Sequence, residues 1–408
     1  MKKERLQLVN LMQKISNSCI SLLDILSKPK IKIALISYYY TKPTVSGVGI
    51  HVQNLAKALV KNNCKVHVFC SGYEDTVYSE EEIIVHTIGE ILSPVDDKSC
   101  KKRLNYDIFE SEVIKEIIRE NEKQKFDIIH THGALTKAAF ILRKVYGTKW
   151  IHTFHAIEKL RVDKLSRDEK QFADLISWIE STVNYCDGAI FVSNELINEG
   201  SKHYSIKHKK VIPNGVDLEF FNYAPIKKKN VLFVGRFSKE KGIGLFQKII
   251  PEIMSINNTT LTLVCPHKGL SGELKEIREL LQKQQDIYKE RLDIIEKPQK
   301  QEVIRKMYKD CQVYIQPSKY ESFGLCILEA MATGRPVVAF NVGGIPEVIG
   351  NEGFIVKNTK ELVYKIKELL NNKEKCTIIG KRASRRAKNF DWDLIAKKTI
   401  AFYNEVKK

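Results

Sequence analysis

The chain has 408 residues, 43% apolar and 28% charged, with 67 Lys and Arg against 49 Asp and Glu for a formal charge of +18. That length and apolar content suit two ordinary domains and exclude a largely disordered chain. The charge suits phosphate-rich partners or an anionic surface, although a Lys-rich solvated exterior produces the same excess.

Residues 1–30 open with Lys2 and Lys3 and continue as "LQLVNLMQKISNSCISLLDIL". Polar residues interrupt every apolar stretch, so this is an amphipathic extension rather than a signal peptide. It packs on the body or touches an anionic membrane peripherally, and the sequence leaves both open. No run reaches 18 apolar residues, so no spanning helix is predicted. Nine scattered cysteines without a C-x-x-C pair argue for a reducing cytosol and against a disulfide frame or zinc site.

From residue 31 onward, short apolar runs alternate with helical patterns. Strands are predicted at 31–37, 65–71, 127–133, 149–155 and 187–193, and a second set at 231–237, 260–265, 292–297, 312–318 and 336–340. After the first strand, "GIHVQNLAKALVKN" places Val52, Leu55, Ala56 and Leu59 on one helical face. Such alternation predicts an α/β protein with two doubly wound, Rossmann-like parallel sheets. The divisions expected are a first domain over 31–208, a second over 209–385, and a closing helix over 386–408 with Asp391 as its cap. The boundary lies near "VIPNGVDLEFFNYAPIKKKN", which carries Pro213, Asn214, Gly215 and a Lys run. Ligands of such sheets bind outside the carboxyl ends of the strands, in a cleft.

Several stretches carry chemistry. "SGVGIHV" starts like G-x-G-x-x-G at Gly47 and Gly49, but Val52 occupies the third glycine position, so it is a poor dinucleotide fingerprint. "IHTFH" ends a strand on His155. "HTH" invites a metal, but His130 and His132 have no acidic or Cys set beside them, and no metal site is expected. "VGRFSKEKG" puts Arg236 and Lys241 between a strand and a helix, where a guanidinium fork and a mobile ammonium suit a diphosphate. In "SKYESFGLCILEAMATGRPVVAF", Glu321 follows a strand, and Phe323, Gly324 and Leu325 are expected to supply the first free N–H groups of a helix that carries Glu329. "DWD" (391–393) copies a D-x-D metal motif, but helix capping accounts for it.

The last of these stretches resembles the signature of glycosyltransferase family 4, through Glu321, Phe323, Gly324, Glu329, Ala330, Gly334, Pro336 and Val337, continued by "VGGIPEVI". "VGRFSKEKG", "VIPNGVDLEFF", "IHTFH" and "SGVGIHVQNLAKAL" resemble further motifs of the family in order, so the resemblance covers about 31–405. It implies a GT-B fold and a metal-independent, retaining transfer of a hexose from a nucleotide-diphosphate sugar, with UDP-linked glucose or N-acetylglucosamine favoured. The hydroxyl acceptor, a glycan, lipid-linked sugar or small molecule, would bind the first domain, and the nucleotide the second. The resemblance assigns Arg236 and Lys241 to the pyrophosphate, Glu329 to the ribose and Glu321 and His155 to the sugar. Gly47 and residues 323–325 would line the donor. No cofactor and no nucleic-acid partner are expected. A nucleotide-sugar epimerase of the same architecture remains an alternative, as does a non-enzymatic polyanion binder.

Overall fold

A computed structural model of the protein describes residues 30–40, 46–89, 98–133, 135–157, 181–267 and 269–408. Apart from Lys30, the amphipathic extension lies outside the described residues, and so does the membrane contact it suggested. Every apolar run named above forms a strand, and the strands assemble into two sheets.

The first sheet is built from β1 (Lys32–Ile36), β2 (Lys65–Gly72), β3 (Thr76–Glu80), β4 (Ile83–Gly89), β5 (Ile128–His132), β6 (Lys149–Phe154), β7 (Gly188–Phe191) and β8 (His208–Val211), in the order β3-β4-β2-β1-β5-β6-β7-β8. All neighbours are parallel except β3 and β4. The second sheet contains β9 (Asn230–Val234), β10 (Thr260–Val264), β11 (Leu292–Ile295), β12 (Val313–Gln316), β13 (Val337–Phe340) and β14 (Phe354–Val356), ordered β11-β10-β9-β12-β13-β14 and wholly parallel. This is the GT-B architecture. The first sheet runs through Val211, slightly beyond the expected boundary at 208.

In both sheets the strand order reverses beside the first strand: β1 lies between β2 and β5, and β9 between β10 and β12. Loops leaving the carboxyl ends of strands flanking such a reversal diverge and open a crevice. The helix Gly47–Lys61 covers the first sheet with Val52, Leu55, Ala56 and Leu59, all buried. The last helix, Trp392–Lys407, also packs there, burying Ile395, Phe402 and Tyr403 with Ile33 and Leu35. Asp391 caps it by accepting from the Asp393 N–H at 2.8 Å. Before that helix the chain returns from the second half beside its outward crossing, with the Val216 N–H on the Phe390 carbonyl at 2.8 Å.

Candidate active site

The loop after β9 carries Arg236 and Lys241, and the loop after β12 carries Glu321. The two loops are joined. The buried Glu240 accepts from Arg236 Nη2 at 2.9 Å, and its carbonyl accepts from the N–H groups of Lys319 and Tyr320 at 2.7 and 3.2 Å. Lys241 Nζ donates to Glu321 Oε2 at 2.5 Å. Gly242 sits at φ +72°, and a Cβ there would lie 2.0 Å from the Pro317 carbonyl oxygen. Charges from two loops distant in sequence thus share the crevice of the second sheet. The Arg236 side chain remains 52% exposed, so its fork is open to a ligand.

The helix after Glu321 starts later than expected. It spans Leu325–Ala332, with Gly324 as its cap at φ +100°. Phe323 therefore precedes the helix and offers no helical N–H; it is buried, its ring centroid 6.0 Å from that of Phe390. The free donors begin at Leu325. Glu329 faces inward, and its carboxylate accepts from Tyr308 OH at 2.9 Å. Burial raises its pKa to about 7, against a smaller lowering by that hydrogen bond. Burial also pushes the Cys326 thiol up to about 12, and the charges that act on it next are Glu329, Lys241 and Glu321. Those three side chains converge on one residue at the helix start.

His155 follows β6 in the first half. Its Nε2 lies 3.2 Å from Nδ1 of His132, and its ring centroid is 4.6 Å from that of His51. His51 Nδ1 contacts Asn214 Oδ1 at 2.8 Å. Burial holds His132 and His155 well below the usual imidazole range and His51 at about 4, so all three are neutral at pH 7. Ring nitrogens of His51, His132 and His155 lie within 4.8 Å of one another, a donor set with the composition of a three-nitrogen metal cage. This differs from the "HTH" pair considered in the sequence. His130 instead bonds Tyr403 OH and Thr153 Oγ1, both at 2.7 Å. Gly47 opens the first helix opposite the second half; a Cβ there would stand 3.5 Å from Leu325 Cδ1.

His51 and Glu347 were not singled out from the sequence. His51 lies on the inward face of the helix whose apolar positions were marked, and that periodicity was the available signal. Glu347 stands within "VGGIPEVI", but its partners are 152 and 153 residues away.

Paired parallel sheets, with cations and a carboxylate at the crevice of one and a histidine at a strand end of the other, define a glycosyltransferase of the GT-B type. The model of the family described as Glycosyltransferase Family 4 matches residues 45–220, and that described as Glycosyl transferases group 1 matches 228–372. An uncharacterized glycosyltransferase of Methanocaldococcus jannaschii is 27% identical over 398 residues, covering 91% of this chain and 97% of its own. A D-inositol 3-phosphate glycosyltransferase of Corynebacterium urealyticum is 23% identical over 413 residues, with coverages of 92% and 96%. Among solved structures, sucrose-phosphate synthase of Thermosynechococcus elongatus superposes with a TM-score of 0.76 at 22% identity, covering 92% of this chain and 99% of that one. Anabaena HepE, solved with UDP and glucose, gives 0.68 at 20% identity, with coverages of 91% and 98%. The two matches, both to glycosyltransferase families, together take in most of the chain, which is a glycosyltransferase of the GT-B type similar to family 4.

Proposed function

We propose that the protein moves a hexose, with retention of configuration and without a metal, from a UDP-linked glucose or N-acetylglucosamine to a hydroxyl acceptor. The first half would bind the acceptor and the second the nucleotide. The observation that carries this reading is the junction of Lys241 with Glu321, beside Arg236 and the open helix start at Leu325. Departure of a nucleoside diphosphate leaves negative charge on the phosphate and positive charge on the anomeric carbon. Arg236, Lys241 and the N–H groups from Leu325 onward would meet the first charge, where preorganised donors contribute most. Glu321 would hold the sugar, His155 would orient it through a neutral imidazole, and Glu329 would take the ribose hydroxyls. Gly47 would line the donor phosphates where the halves meet.

Retention by a covalent intermediate would require a carboxylate free to attack. Glu321 Oε2 is bound to the Lys241 ammonium at 2.5 Å, which weakens the carboxylate as a nucleophile, and our reading is same-face attack, with the departing phosphate accepting the proton of the incoming hydroxyl. The relatives named as D-inositol 3-phosphate glycosyltransferases add a phosphorylated polyol to the acceptor classes worth testing.

The test is a thermal-shift panel of UDP, GDP, ADP and their sugars, followed by turnover with inositol phosphate and with glycan acceptors. A ligand that binds the native state raises its melting point, and UDP and its sugars should give the largest rise. Arg236→Ala should weaken UDP binding by about tenfold to a hundredfold, the ~1.5–3 kcal/mol of a charged hydrogen bond. Isomerised sugar from donor alone, with no transfer to any acceptor, would replace this reading with the epimerase.

A further inference from the structure

The reading above gives Glu347 no task, yet its carboxylate joins the two halves. Oε2 accepts from the Asn194 N–H at 2.9 Å and from Asn194 Nδ2 at 2.7 Å, while Oε1 accepts from the Glu195 N–H at 3.1 Å. Asn194 and Glu195 are the first two residues of the helix Asn194–His203, which leaves the carboxyl end of β7 in the first sheet. The N–H of Leu196, next in line, goes to the helix's own cap, Ser193 Oγ, at 3.2 Å. No helix can satisfy its first N–H groups internally. Here two of them are satisfied by a carboxylate from the other half, placed where the helix carries partial positive charge.

Glu347 is firmly held on its own side. Its short helix, Ile345–Ile349, begins after Gly344, whose N–H donates to the Glu321 carbonyl at 3.0 Å. Arg386 holds the other end, donating to the carbonyls of Glu347 and Val348 at 2.6 and 2.7 Å. A Cβ on Gly344 would come within 3.0 Å of Ser193 Cβ, so the halves meet closely at this point. A short chain of bonds therefore runs from the backbone of Glu321, through Gly344 and Glu347, to a helix start of the first half. Asn194 and Glu195 are exposed, so on separation water replaces the lost bonds at little cost and the contact is reversible.

From this geometry we infer that Glu347 is a positioning residue: it latches the first half onto the second and so sets Glu321 in register with His155. The inference rests on the proposed transfer reaction for its kinetic readout but not for its structural one.

The test uses the full chain with Glu347→Ala, Asn194→Pro and the double variant. Proline is tolerated at the first position of a helix and deletes donors there without breaking it, and the extended Ser193 (φ −153°, ψ 161°) suits a following proline. Small-angle scattering without ligand and with saturating UDP, UDP affinity by calorimetry, and UDP release from UDP-glucose and UDP-N-acetylglucosamine are measured. Each single variant should be more extended than wild type both without ligand and in the presence of UDP. Each should lose about tenfold or more in turnover while UDP affinity stays within about twofold, since the latch acts on assembly of the reacting groups and not on nucleotide binding. The double variant should be no worse than Glu347→Ala alone, because that change removes all three bonds, including the two that Asn194→Pro deletes. Equal radii of gyration in wild type and variants, additive losses, or UDP affinity falling in step with turnover would each overturn the latch. A wild type that binds no nucleoside diphosphate and releases none would overturn the transfer reading, while the ligand-free scattering would still judge the latch.

Discussion

Glu329, proposed to meet the ribose, would link ligand binding to pH through its burial. Its carboxyl moves from an ordinary 4.5 to about 7 because burial disfavours the charge. The folded protein therefore binds more protons than the unfolded chain between about pH 4.5 and 7, and stability falls as pH rises through that window and levels off above it. Accepting ribose hydroxyls calls for the ionised form. UDP affinity should accordingly rise from pH 6 to pH 8 by up to about tenfold, and Glu329→Gln should abolish that component; calorimetry at both pH values checks it. Glu321→Gln is expected to behave differently, with turnover reduced by about a hundredfold or more and UDP affinity nearly unchanged. Equal loss of both would remove Glu321 from the transition state.

At the level of elements, the loop after β9 depends on one glycine. Gly242 combines a positive φ with a backbone oxygen 2.0 Å from where a Cβ would stand. Gly242→Ala should therefore cost more than the usual ~1 kcal/mol of a left-handed position, and should separate Lys241 from Glu321. A denaturant titration together with UDP affinity would detect both effects. The same scale explains what the sequence revealed. Ten of the strands among the described residues announce themselves as apolar runs and were legible. The four others were not. β3 (TVYSE) is fully exposed on the antiparallel edge, β8 reads HKKV, and β14 has only three residues. β4 (IIVHTIG) is apolar enough but follows directly on that polar edge strand. Arg236, Lys241 and Glu321 were legible because each lies just past an apolar run. Glu347 and His51 were not, because their partners lie on distant segments of the chain, and no local pattern encodes such a meeting. The late helix start at Leu325 was missed because Gly324 takes a left-handed cap that the apolar periodicity does not register.

For the whole molecule, the charges at the crevice bear on the role of metals. Arg236, Lys241 and the Leu325 helix start supply positive charge where a diphosphate would leave, so turnover should persist in excess EDTA. Loss of activity in EDTA, restored by one divalent metal, would instead give the cluster of His51, His132 and His155 an ion to hold. Zinc added to active enzyme offers a second readout: capture of His155 by the cluster would inhibit, and His132→Ala would relieve that inhibition.

The outward and returning segments between the two sheets run side by side, with Val216 bonded to Phe390. Two adjacent segments of backbone lie like the spine of a book, and a double connection of this kind should resist twisting of one cover against the other more than a single linker would. Gly215 lies flat beneath the Trp392 indole, where a Cβ would come within 2.4 Å of the ring. Even one added methyl would wedge the two segments apart, so the way the halves are joined depends on a residue outside the Arg236, Lys241 and Glu321 loops.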